Sequence, residues 1–100
     1  MLFLKYFNYL ENNNNCDFNS NGEKLFIKNL FAYFKQNNQK KVNIFDIGSN
    51  KGDYAEILYK TSKENDVNVR IYCFEPDSYA FAKLFSRFKS NNNFKLYNFA

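Results

Sequence analysis

One hundred residues allow a single domain at most, and an apolar content of 45% is ordinary for a globular chain. The formal net charge of +4 comes from lysines scattered along the chain, which points to a solvated surface and away from a nucleic-acid face. With no histidine and no Cys-x-x-Cys pair, a zinc site is excluded on ligand count and His-based catalysis is excluded within these residues.

The segment Met1 to Leu10 is apolar, but a membrane span needs about 20 apolar residues, so no transmembrane segment is expected. Lys5 interrupts the run, and Glu11 with four asparagines follows, which does not suit a signal peptide. The segment reads as a short amphipathic helix docked on the domain. Peripheral membrane contact is the alternative. Glu11 to Asn21 reads as a loop, and Ser20-Asn21-Gly22-Glu23 offers capping chemistry for a helix reaching about Gln36. Leu25, Phe26, Leu30, Tyr33 and Phe34 recur along it at helical spacing. Residues 1–40 thus form an N-terminal helical extension.

Val42 to Ile47 is a short apolar run closed by Gly48, which suits a buried parallel strand. A helix is predicted from about Asp53 to Ser62, with Tyr54, Ile57, Leu58 and Thr61 on one face and Asp53 as its N-cap. Val69 to Phe74 is rich in β-formers and reads as a second strand. Pro76 cannot extend a central strand, and Asp77 or Ser78 can cap a helix running to about Lys89, with Phe81, Leu84, Phe85 and Phe88 inward. Phe94 to Phe99 reads as a third strand. This alternation over residues 41–100 is the β-α-β-α-β half of an α/β domain with a parallel sheet and right-handed crossovers. Cys73 reads as a small buried hydrophobe, and two unpatterned cysteines, Cys16 and Cys73, suit a reducing cytoplasm.

Two strand ends carry the chemistry. Ligands of open parallel sheets bind outside the carboxyl ends of the strands. There, Gly48-Ser49-Asn50-Lys51-Gly52 forms a tight loop that lets a ligand approach the backbone, followed by a helix N-terminus suited to an anion. Gly-x-Gly-x-x-Gly is not met, since Asn50 stands at its second glycine and the spacing differs, and no P-loop is present. A dinucleotide site of the nicotinamide type is therefore the weaker reading. Glu75 at the second strand end can accept two hydrogen bonds from a ribose diol, or form a salt bridge at the sheet edge. Asp46 is a cofactor-site or loop-bonding carboxylate, and Asn50 contacts ligand or simply tolerates a left-handed turn.

Asn21-Gly22-Glu23, then Phe45-Asp46-Ile47-Gly48-Ser49-Asn50-Lys51-Gly52-Asp53-Tyr54, then Phe74-Glu75-Pro76-Asp77, resembles the FkbM family of S-adenosylmethionine-dependent methyltransferases. Ser49 replaces the family's usual alanine, a small-for-small change. The resemblance implies a Rossmann-like methyltransferase fold of which only the first half is present. In its sheet order, 3-2-1-4-5-7-6, the first strand would expose an apolar edge, making this chain marginal or aggregation-prone by itself.

The resemblance further implies O-methyl transfer to a sugar, glycan or natural-product hydroxyl, with S-adenosylmethionine as cofactor and a small-molecule or glycan acceptor as partner. Asp46 and the loop Gly48, Ser49, Asn50 and Gly52 would hold the methionine end. Glu75 would hold the ribose, and Asp77 either lies near the adenine or only caps its helix. No catalytic base is assigned and no metal is implied. The competing reading is a non-catalytic interaction module that keeps the start of the fold without its chemistry.

Overall fold

Two apolar runs, Lys41-Val-Asn-Ile-Phe-Asp-Ile47 and Asn68-Val-Arg-Ile-Tyr-Cys-Phe74, alternate with polar residues in their first halves, and both become strands whose alternate residues are buried. A computed structural model describes residues 2–5 and 16–99, with side chains from residue 22 to residue 99. The chain order is β1 (Leu2–Lys5), α1 (Cys16–Gln36), β2 (Lys41–Ile47), α2 (Asp53–Glu64), β3 (Asn68–Phe74), α3 (Ser78–Phe88) and β4 (Phe94–Tyr97). The four strands form one parallel sheet in the order β1-β2-β3-β4.

The N-terminal strand corrects the sequence reading. Leu2–Lys5 is not helical but pairs with Asn43–Asp46 of β2, one residue to one. Helix nucleation is costly in a segment this short, whereas an open parallel edge offers its backbone hydrogen-bond partners. The edge of β2 that was expected to stand open is thereby paired. The rest of the expected N-terminal helix, residues 6–10, and the loop residues 11–15 lie outside the described residues.

A second correction concerns α1, which begins at Cys16, so Asn21 and Gly22 are interior helical residues and not its cap. Its buried stripe is Ile27, Phe31 and Phe34, at i, i+4 and i+7, with Leu30 partly covered. Leu25, Phe26 and Tyr33, which recur at the same helical spacing, are 60%, 50% and 52% exposed. One helix face can point at the sheet, and the stripe through Ile27 takes it. In α2, Tyr54, Ala55, Leu58 and Ser62 are buried, with Ile57 partly so. In α3, Ala80, Leu84 and Phe88 are buried while Phe85 is 47% exposed, against expectation.

Connecting neighbouring parallel strands in one direction by right-handed crossovers sets every helix on the same side of the sheet. One hydrophobic cluster accordingly joins Phe31 and Phe34 of α1, Leu58 of α2 and Leu84 and Phe88 of α3 to Val42, Ile44, Val69, Ile71, Cys73 and Phe94 of the strands. Phe88 and Phe94 stack at 4.0 Å between centroids, closing the layer over β4. The opposite sheet face carries no helix from α1 to α3. Among the described residues, no helix is long and apolar enough to cross a membrane.

Candidate functional site at the strand carboxyl ends

At the end of β2 the chain leaves the sheet through Gly48 at φ 80°, Asn50 at φ 54° and Gly52 at φ 99°. These left-handed angles are open to glycine and tolerated by asparagine. A Cβ at Gly52 would stand 2.6 Å from Phe88 Cε2 and 3.0 Å from Leu84 Cδ1, so α3 packs directly on this backbone. A Cβ at Gly48 would meet nothing within 4 Å, so open space lies in front of that turn.

The loop is fixed on both sides. The Gly48 and Ser49 N–H groups donate to Phe74 O at 2.8 and 3.1 Å, tying it to the end of β3. Ser49, itself buried, donates its hydroxyl to Asp46 O at 2.7 Å. The Gly52 N–H donates to Ser49 O at 3.0 Å and closes the turn, after which Gly52 O accepts from the Glu56 N–H to begin α2.

Glu75 leaves β3 beside this loop and is 7% exposed. Its Oε1 accepts the Asn50 N–H at 2.6 Å and its Oε2 accepts the Asp77 N–H at 2.9 Å. The Glu75 N–H donates to Tyr97 O at 2.9 Å, and the Asn98 side-chain amide donates to Glu75 O at 2.8 Å, so the end of β4 holds the residue from the flank opposite Asn50. Asp77 is the N-cap of α3, its Oδ2 accepting the Ala80 N–H at 2.8 Å.

The sequence-derived residues therefore meet in one place. Gly48, Ser49, Asn50, Glu75 and Asp77 are joined by hydrogen bonds at the carboxyl edge of β2 and β3. Asp46 lies just beneath, fully buried on the helix-covered face and linked to the loop through its carbonyl. Gly52 sits under α3, away from the open end. The expected cap at Asp53 is a further correction. The N-cap position is Gly52, with no side-chain hydrogen bond, and the Asp53 carboxylate turns outward. The left-handed angle needed at that position selects glycine over a capping side chain.

Arg87 and Asn98 were not legible as site residues. Arg87 on α3 donates to Lys51 O at 3.1 Å and to Asp53 Oδ1 at 2.7 Å, and pairs with Glu56. The Arg87 hydrogen bond holds the Glu56 carboxyl below its usual range. For Arg87, burial works against the charge, but Asp53 and Glu56 outweigh it and push the guanidinium up. Arg87 thus pins the exit of the loop from the outside, across a separation no local motif announces.

No family model, curated protein or solved structure matches this chain.

Proposed function

We propose that the chain carries the cofactor-binding half of an S-adenosylmethionine-dependent methyltransferase acting on a hydroxyl of a sugar, glycan or natural product, in a Rossmann-like fold. The observation that carries this reading is the Glu75 carboxylate, rigid at a strand end and beside a left-handed glycine loop with open space at Gly48. Each carboxylate oxygen has two acceptor sites. With one per oxygen engaged by backbone N–H, the others remain to meet a vicinal diol.

When bound, the cofactor would supply an electrophilic sulfonium methyl for direct displacement by the acceptor oxygen. The chain's own contribution is positional. The loop backbone would orient the amino-acid end and Glu75 the ribose, which suits a reaction that draws mainly on proximity and alignment. Calorimetric titration of S-adenosylmethionine into the protein tests this. Saturable binding that is lost in Glu75→Ala supports the reading, and undiminished binding in that variant removes the ribose assignment.

A second reading, a non-catalytic module, is favoured by the same carboxylate. Both of its oxygens already bind the backbone of its own loop and turn, a structural role complete without a ligand. Absence of any cofactor binding by a folded protein decides for it.

A further inference from the structure

The loop after β2 and the Glu75 carboxylate are joined twice, once directly and once through α3. Glu75 Oε1 holds the Asn50 N–H, Glu75 Oε2 holds the Asp77 N–H, and Asp77 caps α3. From the last turn of that helix, Arg87 reaches back to the loop. It donates to Lys51 O at 3.1 Å and to Asp53 Oδ1 at 2.7 Å, and it pairs with Glu56. Lys51 follows Asn50 directly, so the path closes into a ring of loop, Glu75, cap, helix and Arg87. Along the same side Gly52 lies against Leu84 and Phe88 with no room for a Cβ.

The peptide that Arg87 holds lies between two left-handed residues, Asn50 at φ 54° and Gly52 at φ 99°. Backbone in that region persists only where its surroundings over-determine it. A guanidinium suits the task, because its planar fork spans a carbonyl and two carboxylates at once, where an ammonium would act as a point charge. We infer that Arg87 is a positioning residue for the ligand-facing loop. It acts through Lys51 O, setting that peptide so that the Asn50 N–H stays on Glu75 and the Gly48 turn keeps its opening. This inference rests on the methyl-transfer reading only for the identity of the ligand. The ion pairs are partly solvated, so their effect on global stability is small. A loop freed of Arg87 relaxes and recovers part of that loss. Restoring the original geometry then falls to the ligand, and the cost appears in affinity beyond what stability shows.

The experiment combines amide hydrogen exchange, followed by NMR on the isotope-labelled full chain, with calorimetric titration of S-adenosylmethionine. Wild type, Arg87→Met and Val67→Ala are compared. Val67 is buried just before β3, at the other end of the sheet from the loop, so its truncation lowers stability alone. In Arg87→Met the Asn50 and Gly52 N–H groups are expected to exchange faster by about fivefold or more, while the Ile71 N–H inside β3 stays within about threefold of wild type. Affinity for S-adenosylmethionine is expected to fall by about fivefold or more. Val67→Ala is expected to show the opposite pattern, with Ile71 faster and both the loop amides and the affinity within about twofold of wild type. An Arg87→Met variant that exchanges like Val67→Ala, or that binds as tightly as wild type, overturns the inference. If wild type itself binds no S-adenosylmethionine, the methyl-transfer reading falls, and the exchange rates of Asn50 and Gly52 alone decide whether Arg87 sets the loop.

Discussion

Glu75 Oε1 accepts the Asn50 N–H at 2.6 Å, joining the loop after β2 to the end of β3 across the intervening helix α2. A carboxylate accepting backbone N–H bonds from both sides, here Asn50 and Asp77, is a stronger link than a neutral acceptor would be. Glu75→Gln keeps the shape but sets an NH₂ group against one of the two N–H donors. In so buried a position the mismatch is expected to cost about 1–3 kcal/mol. A urea midpoint equal to wild type would show that the carboxylate is not a structural link.

Gly52 is constrained twice, by φ 99° and by the rings of α3. Gly52→Ala places a methyl 2.6 Å from Phe88, whose ring is stacked on Phe94 and cannot simply swing away. The expected loss is about 2 kcal/mol, combining left-handed strain with overpacking. Gly48→Ala has the angle without the crowding and is expected to lose about 1 kcal/mol. Equal midpoints for the two variants would remove the packing part of the argument.

The legible parts of this fold are those set by local pattern. β2, β3 and α3 were bounded within a residue or so because a bounded apolar run of β-formers, glycine, proline and the Asp77 cap all act locally. The inward set of α1 was not separable in the sequence because Leu25, Phe26 and Tyr33 share helical spacing with the buried stripe, and only packing chooses between two apolar faces. β1 was misread because a short apolar run carries no preference strong enough to resist an available sheet edge. At the site, Gly48, Ser49, Asn50 and Glu75 were readable from motif spacing. Arg87 was not, since its partners Lys51, Asp53 and Glu56 are brought to it only by the stacking of α3 beside α2. That the described helices share one sheet face was equally hidden, because it follows from the strand order and not from any local pattern.

The Arg87 cluster gives a pH signature. Glu56 is held below its usual range by the Arg87 hydrogen bond. A depressed carboxyl contributes stability that is present above its unfolded pKa and lost as the pH falls through its folded one. Arg87→Met is therefore expected to destabilise near neutral pH and to match wild type once the acid limit is passed. The pair is partly solvated, with Glu56 35% and Asp53 87% exposed in their side chains, so the neutral-pH loss is expected to be only about 0.5 kcal/mol. Urea titrations at the two pH extremes check this, and a gap that persists in acid would assign the effect to lost packing of the Arg87 stem.

Two aspartates at two helix starts separate capping from surface pairing. Asp77 is a true N-cap, in extended backbone with its Oδ2 on the Ala80 N–H, so Asp77→Ala leaves that donor to water and is expected to cost about 1 kcal/mol. Asp53 follows a left-handed Gly52 and pairs with Arg87 through a carboxylate that is 87% exposed, so Asp53→Ala is expected to cost less than about 0.5 kcal/mol. Asp77→Asn should recover most of the loss, because an amide oxygen caps nearly as well as a carboxylate. The order of urea midpoints, Asp77→Ala lowest and Asp53→Ala close to wild type, follows from geometry alone. The reverse order would mean that the Arg87–Asp53 pair, and not the cap, sets the stability of this end of the sheet.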